Sequence, residues 1–116
     1  MEKQYKRSSI FLARLWAAEH SEQSGVRPVL IVSNDKGNEA GPTVTVAAIT
    51  SKLSKPNLPT HVIVSTECGL HHDSVIMLEQ LRTLDKRRLG KCIGQLTENQ
   101  MSEVDSALRV SFALAE

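Results

Sequence analysis

The stretch VRPVLIVSN (residues 26–34), followed a few residues later by PTVTVAAIT (residues 42–50), decides the fold class. The first is a continuous apolar run, which is typical of a strand buried on both faces. Pro28 lies near its start, where the missing N–H does least harm. In the second, polar and apolar residues alternate and β-branched residues are frequent, which is typical of a strand. Between them, NDKGNEAGP (34–42) is predicted as a turn, so the pair begins a sheet.

Further strands are predicted on both sides of this pair. SSIFLARLW (8–16) suits an edge strand, and HVIVS (61–65) and SVIMLEQL (74–81) suit two more. SKLSKPNLP (51–59) contains two prolines and is predicted as a loop with room for one short strand. The sequence therefore predicts a sheet of about five to seven strands.

The C-terminal third changes to helical periodicity. Thr97 with Gln100 forms a capping box, which satisfies N–H groups at a helix start. Apolar residues then recur at three- and four-residue steps and are all expected in the core: Met101, Val104, Leu108 and Phe112. These features predict a helix over about 98–114. Residues 85–91 are predicted as a shorter helix, with Gly94 beyond its end.

Length and composition favour one globular domain over residues 1–116. Apolar residues make up 41% of the chain and charged residues 23%, which are ordinary values for a globular protein. The sequence contains no apolar run of the roughly 20 residues that a membrane span needs. Its N-terminus lacks the apolar stretch of a signal peptide, so a cytoplasmic protein is expected. The net charge is +1, so any nucleic-acid site must gather its cations on one face.

Four segments in order resemble the MazF/PemK/Kid family, which are toxins of type II toxin–antitoxin pairs. They are SEQSGVRPVLIVSND (21–35), PTVTVAAIT (42–50), LPTHV (58–62) and DSVIMLEQLRTLDKRRL (73–89). The resemblance implies a mainly β, α+β fold, in which a curved antiparallel sheet forms an SH3-like barrel with a C-terminal helix and a short helix. It also implies a homodimer that cuts single-stranded RNA at selected sequences, leaving 2′,3′-cyclic phosphate and 5′-hydroxyl ends. No metal or cofactor is implied, and a cognate MazE-like antitoxin peptide covers the RNA groove.

The resemblance also assigns roles to individual residues. The family's catalytic arginine matches Arg27 and its catalytic threonine matches Thr50. A permanently charged, planar guanidinium matches two phosphate oxygens, and a hydroxyl can donate to a third. The RNA contacts of the family match Glu22, Gln23, Ser51, Ser74 and Gln80. Glu22 is also the candidate for accepting the 2′-hydroxyl proton.

Several residues allow more than one interpretation. Gln80 fits either base recognition or a hydrogen-bonded core amide. His61 fits a hydrogen-bonded strand residue better than an acid or base. Arg87 belongs to a basic cluster that is either a solvated helix face or a rim holding RNA phosphates; the cluster consists of Lys86, Arg87, Arg88 and Lys91. Cys68 with the two histidines after it lacks the second ligand pair of a zinc site, so no metal is predicted.

The first segment departs from the family pattern. The family usually has K-R-G-D where this chain has Ser8 and Ser9 in the last two places, and Arg14, His20 and Ser24 differ as well. Losing glycine removes the freedom to adopt positive φ, so loop geometry and RNA specificity could differ. His20 could join the proton transfer. The competing function is a non-catalytic SH3-like module that binds peptide or nucleic acid, and a DNA gyrase poison is a third.

Overall fold

The computed structural model describes residues 3–15, 25–53 and 58–115. These ranges contain six strands and two α-helices: β1 (Ser9–Arg14), β2 (Val26–Ile31), α1 (Asp35–Ala40), β3 (Thr43–Thr50), β4 (His61–Val64), β5 (Ser74–Asp85), β6 (Leu89–Gln95) and α2 (Glu98–Ser111). Short 3-10 helices at Thr66–Cys68 and Lys86–Arg88 precede β5 and β6. None of the helices in these ranges is long and apolar enough to cross a membrane.

The strands form one antiparallel sheet in the order β4-β5-β3-β2-β1-β6. The predicted mainly β, α+β fold with a C-terminal helix is confirmed. The prediction that 8–16 is an edge strand was wrong, because Phe11 of β1 pairs with Val29 of β2 on one side and with Cys92 of β6 on the other. The edges of the described sheet are β4 and β6.

The predicted barrel is not closed by strand pairing. In the part of the chain that the structure describes, β4 and β6 share no ladder. Instead, the 3-10 helix after β4 contacts β6 directly through two glycines. A Cβ on Gly69 would lie 2.1 Å from the Ile93 carbonyl oxygen, and one on Gly94 would lie 1.7 Å from the Cys68 oxygen. A backbone contact between a turn and a strand therefore joins the two edges.

The sheet is apolar on both faces. Ile10, Leu30 and Ala47 belong to a cluster that α2 covers with Met101 and Val104. The alternate residues form a second cluster on the opposite face: Phe11, Ala13, Val29, Ile31, Val44, Val46, Leu84 and Leu89. The complete burial of residues 29–31 confirms the prediction of a strand buried on both faces.

The segment predicted as a turn between β2 and β3 contains α1. The Asn34 side chain accepts a hydrogen bond from the Gly37 amide at 2.7 Å and caps this helix. Asn38 is buried and bonds to both the Ser33 hydroxyl and the Ser33 carbonyl. The same Asn and Asp residues that favour turns also favour helix starts, and packing under Asn38 selected the helix.

The predicted helix over 85–91 was also wrong. Only Lys86–Arg88 is helical, with the Asp85 carboxylate capping it, and the chain then enters β6. Gly94 lies inside that strand. The sequence of β6, LGKCIGQ, has two glycines and little β-branching, so its strand conformation comes from pairing with β1 rather than from local preference.

The C-terminal helix and its capping box are confirmed, but its stripe is shorter than predicted. Met101, Val104 and Ala107 are buried, whereas Phe112 follows the last helical turn and is 57% exposed. The buried stripe therefore ends before Phe112, which is the C-cap residue of α2.

Candidate functional site

Arg27 and Thr50 lie at the same end and on the same face of the sheet. Val29 pairs with Ala48 and Leu30 with Ala47 in the β2–β3 ladder. The ladder ends at the Val29–Ala48 pair, and Arg27 and Thr50 each lie two residues beyond it, so they share one end of these neighbouring strands. Because side chains alternate between faces, both point to the face that carries Val29.

Arg27 is the second residue of β2, fixed by its pairing with Ala13 of β1. Its side chain is exposed and has no hydrogen bond or ion pair with any of the described residues. Arg7 and Arg87, by contrast, bind Asp105 and Asp85. Arg27 is thus an exposed cation on a paired strand, with no partner for its donors among residues 3–15, 25–53 and 58–115.

Thr50 is the last residue of β3 and is half-buried. Its hydroxyl oxygen accepts a hydrogen bond from the Lys52 amide at 3.1 Å. That bond uses a lone pair and leaves the hydroxyl proton as a donor. Ser51 follows directly and is exposed. The end of β3 therefore carries the Thr50 hydroxyl, with Ser51 directly after it, at the end of the sheet where Arg27 lies on β2.

The two candidates on β5 differ in their surroundings. Ser74 is 3% exposed, pairs with Val64 and donates its hydroxyl to the His72 carbonyl at 2.8 Å. Ser74 lies on the face of the sheet that α2 covers, which is opposite to the face of Thr50. Gln80 falls where the β3–β5 register jumps between Ala47 and Ala48, and it is exposed. The core-amide interpretation of Gln80 was therefore wrong.

An ion pair beside this face was not anticipated from the sequence. His61 pairs with Met77, which pairs with Ala48, so His61 shares the face of Thr50. Its Nε2 lies 3.1 Å from the Glu79 carboxylate, which also accepts the Thr60 hydroxyl at 2.8 Å. Glu79 is 18 residues from His61 in the sequence, so no local sequence pattern indicated that the two would be in contact. The interpretation of His61 as a hydrogen-bonded strand residue fits this geometry.

These contacts change the ionisation of Glu79. Partial burial alone would raise the pKa of its carboxyl. Hydrogen bonds from Thr60, from the Glu79 amide and from His61, with the charge of His61, outweigh burial and hold the pKa below its ordinary value. Glu79 therefore stays a carboxylate at the rim of the site.

Some predicted residues lie outside the described ranges. Glu22 and Gln23, the candidates for proton transfer and RNA contact, belong to the segment between β1 and β2, as do His20 and Ser24. That segment joins Leu15 to Gly25, directly before Arg27. Their roles stay predictions.

The basic cluster does not lie on one helix face. Arg87 is exposed and binds both carboxylate oxygens of Asp85, and Arg88 donates to the backbone carbonyl of Arg14 at 3.2 Å. Lys91 lies on β6 instead. Asp85 keeps a carboxyl pKa below its ordinary value, because it accepts bonds from the Arg87 side chain and amide.

Ligands for a metal are not assembled among residues 3–15, 25–53 and 58–115, which contain no group of three His, Cys, Asp or Glu side chains placed to hold an ion. The buried Cys68 thiol donates to the Ser65 carbonyl at 3.2 Å. Burial raises the pKa of this thiol, which keeps it in the inert protonated form.

The fold and the site define a small, mainly β protein with an arginine and a threonine at the same end and on the same face of its sheet. The family model described as "PemK-like, MazF-like toxin of type II toxin-antitoxin system" matches residues 6–112. The chain therefore belongs to this toxin family.

Solved structures agree with this assignment. The chain is similar to the Mycobacterium tuberculosis toxin MazF-mt6, with 30% identity and a TM-score of 0.79 over 93% of this chain and 99% of that one. An endoribonuclease from a mycobacterial species has the same fold, with a TM-score of 0.81 and 22% identity over 100% and 98% of the two chains. So does a mycobacterial endoribonuclease in complex with its cognate antitoxin, with a TM-score of 0.80 and 23% identity over 97% and 98%.

Proposed function

We propose that this chain is a metal-independent endoribonuclease toxin that cuts single-stranded RNA at selected sequences in the cytoplasm. The products are 2′,3′-cyclic phosphate and 5′-hydroxyl ends. Membership of the toxin family and the likeness to proteins named endoribonucleases support this proposal. The observation that carries it is that Arg27, which is exposed, lies with Thr50 at the same end and on the same face of neighbouring strands.

The chemistry needs no metal because the ribose 2′-hydroxyl is a nucleophile next to the scissile phosphorus. The enzyme has to align it with the leaving 5′-oxygen and stabilise charge on the phosphoryl oxygens. Arg27 supplies two parallel N–H donors and a fixed positive charge for those oxygens. A guanidinium is permanently charged and has no acceptor, so Arg27 serves as an electrostatic clamp rather than a base.

Thr50 donates its hydroxyl to a non-bridging oxygen, and Glu22 accepts the 2′-hydroxyl proton. As the 2′-oxygen bonds to phosphorus, the bond from phosphorus to the 5′-oxygen breaks, and the leaving oxygen takes a proton from water. Gln23, Ser51, Gln80 and Arg87 contact the RNA around this point. Ser74 was a further candidate from the family resemblance; because its hydroxyl is spent on the His72 carbonyl, we do not extend the proposal to a contact between that hydroxyl and RNA.

The toxin acts as a homodimer and is held inactive by a cognate MazE-like antitoxin. A solved structure of a similar fold pairs an endoribonuclease with its cognate antitoxin, which supports the second part. The exposed apolar side chains at the end of α2 support the homodimer.

The decisive experiment incubates the purified protein with mixed RNA in excess chelator and sequences the ends. Specific fragments with 5′-hydroxyl ends are expected. A single deoxyribose at the cut position should stop cleavage there, because DNA has no 2′-hydroxyl. Intact RNA that is nevertheless bound would support the competing binding module instead.

Three variants connect this activity to the site. Arg27→Ala should abolish cleavage without changing the melting temperature, while Arg109→Ala, an exposed arginine on α2, serves as the control. Thr50→Val should lose about 10²–10³ in rate, the usual cost of one oxyanion donor, and Thr50→Ser should keep most of it. Cleavage by Arg27→Ala at the wild-type rate would contradict the proposed mechanism.

A further inference from the structure

Two open clefts meet at the tip between β5 and β6. The N-terminal cleft, with about 1120 Å³ of space, is lined by Lys3, Lys6, Lys86 and Arg87 among others. The lateral cleft, with about 600 Å³, is lined by Arg14, Val26, Arg87 and Arg88 among others. Arg87 and Leu89 line both, so the two clefts adjoin, and together they are called the track below.

The track concentrates positive charge. Its walls carry six cationic side chains and three carboxylates, a surplus of three, whereas the whole chain has a net charge of +1. Two of the carboxylates are engaged within the fold. Asp85 is bound by Arg87, and Asp35 accepts the Arg7 amide at 2.7 Å. The track is therefore more positively charged than the chain as a whole.

The track runs close to β2, which carries Arg27. Val26, which lines the lateral cleft, precedes Arg27 in β2, and its side chain points to the opposite face of the strand. Ala13 of β1 pairs with Arg27 on one side and with Leu89 on the other. Two strand spacings, or about 10 Å, therefore separate Arg27 from the residue that both clefts share.

The chemistry of the walls favours a phosphate backbone over bases. Guanidinium groups, which fit phosphate oxygens in pairs, supply half of the cations. The one aromatic ring of the N-terminal cleft, Tyr5, is stacked on Phe11 at 5.3 Å and covered by the Lys86 ammonium at 5.3 Å. The ring is therefore already engaged by contacts within the fold.

We propose that this track binds the phosphodiester backbone of the RNA on one side of the cut, independently of its sequence. The inference rests on the proposed nuclease function and extends it. Cleavage specificity then resides near Arg27 and Thr50, while the track adds affinity for longer RNA through the release of counterions.

The test uses Lys6→Gln/Lys86→Gln, which removes two cations distant from Arg27, with Lys36→Gln/Arg109→Gln as the control of equal charge. An RNA containing the cut sequence is lengthened on either flank in turn, and kcat and KM are measured as salt rises. For the wild type, lengthening the RNA on one of the two flanks should lower KM. In the variant the same lengthening should leave KM unchanged. The slope of log(kcat/KM) against log salt should be shallower by about 1.4, because each lost phosphate contact contributes about 0.7. Its kcat and its KM for the shortest RNA should not change.

The outcomes separate the two proposals. A wild-type protein that cuts no RNA overturns the nuclease, and the same salt titration with 2′-O-methyl RNA still tests the track through binding. A variant whose KM and salt slope match wild type overturns the track. If the variant binds polyglutamate more weakly but cuts RNA as the wild type does, the track binds an acidic protein instead. This result would also overturn the proposal that the track binds RNA. Should the double variant melt early, Lys6→Gln alone gives the same test with half the slope change.

Discussion

At the scale of single residues, Ser8 carries a strained backbone. Its φ is +90°, a region that costs an L-residue about 1–2 kcal/mol and glycine very little. It occupies the position at which the resembled family has glycine in K-R-G-D. The Ser8 amide donates to Ile31, its carbonyl accepts from Leu96, and its hydroxyl accepts from the Gln95 side chain at 3.0 Å. These three contacts hold the turn before β1 in place despite the strain.

We expect Ser8→Ala to be less stable than Ser8→Gly by about 1–2 kcal/mol. Both variants lose the bond to Gln95, so the difference isolates the backbone strain. Urea unfolding of the two proteins measures it. Equal midpoints would mean that the turn adopts an ordinary φ in solution.

At the scale of elements, the register jump in β5 brings Glu79 to the start of β4. Three residues, 78–80, separate the partners of two consecutive residues of β3. The bulge aims Glu79 at Thr60 and His61, so an ion pair fixes the beginning of a strand that is only four residues long.

This ion pair should make stability depend on pH. The pKa of Glu79 is lowered by folding, so its contribution is present above the unfolded value of about 4.5 and is lost as pH falls through the folded pKa. Glu79→Gln should therefore lose less stability than wild type between neutral and acidic pH. Thermal melts across that range, with the exposed Glu103→Gln on α2 as the control, measure the difference. Parallel curves for wild type and Glu79→Gln would contradict the prediction.

The close backbone approach at Gly69 and Gly94, which joins the edges of the sheet, should be sensitive to a single added methyl group. Gly94→Ala places a Cβ against the Cys68 backbone, which cannot rotate away. Overpacking of this kind costs about 1–3 kcal/mol, and the upper end is expected for a backbone neighbour. Gly25→Ala, whose Cβ would meet nothing within 4 Å, should change stability by less than about 0.5 kcal/mol. Equal unfolding midpoints for the two variants would show that the contact is loose.

At the scale of the whole molecule, the end of α2 leaves an apolar surface uncovered. Val110, Phe112 and Leu114 are 51%, 57% and 61% exposed. Clustered apolar exposure of this kind is typical of an association surface. It fits the proposed homodimer.

Sedimentation equilibrium should therefore give twice the 12.8 kDa mass of the chain, and Phe112→Ser should shift the protein toward monomer. Ile63→Ser, a similarly exposed apolar residue on β4, is the control. A wild-type monomer at micromolar concentration would remove the dimer from the proposal, as would an unaltered dimer in Phe112→Ser.

The sequence by itself determined the features whose signal is local. Apolar runs and alternation located five of the six described strands, a capping box located α2, and one ordered set of motifs selected Arg27 and Thr50. Tertiary structure decided what depends on residues distant in the chain. Pairing with β1 made a strand of the glycine-bearing segment 89–95. The pairing of β2 with β3 brought Arg27 and Thr50 to the same end of the sheet, and the β5 bulge joined His61 to Glu79. The physical reason is that periodicity reports which faces of a segment are buried, whereas register and ion pairs depend on which other segment buries them.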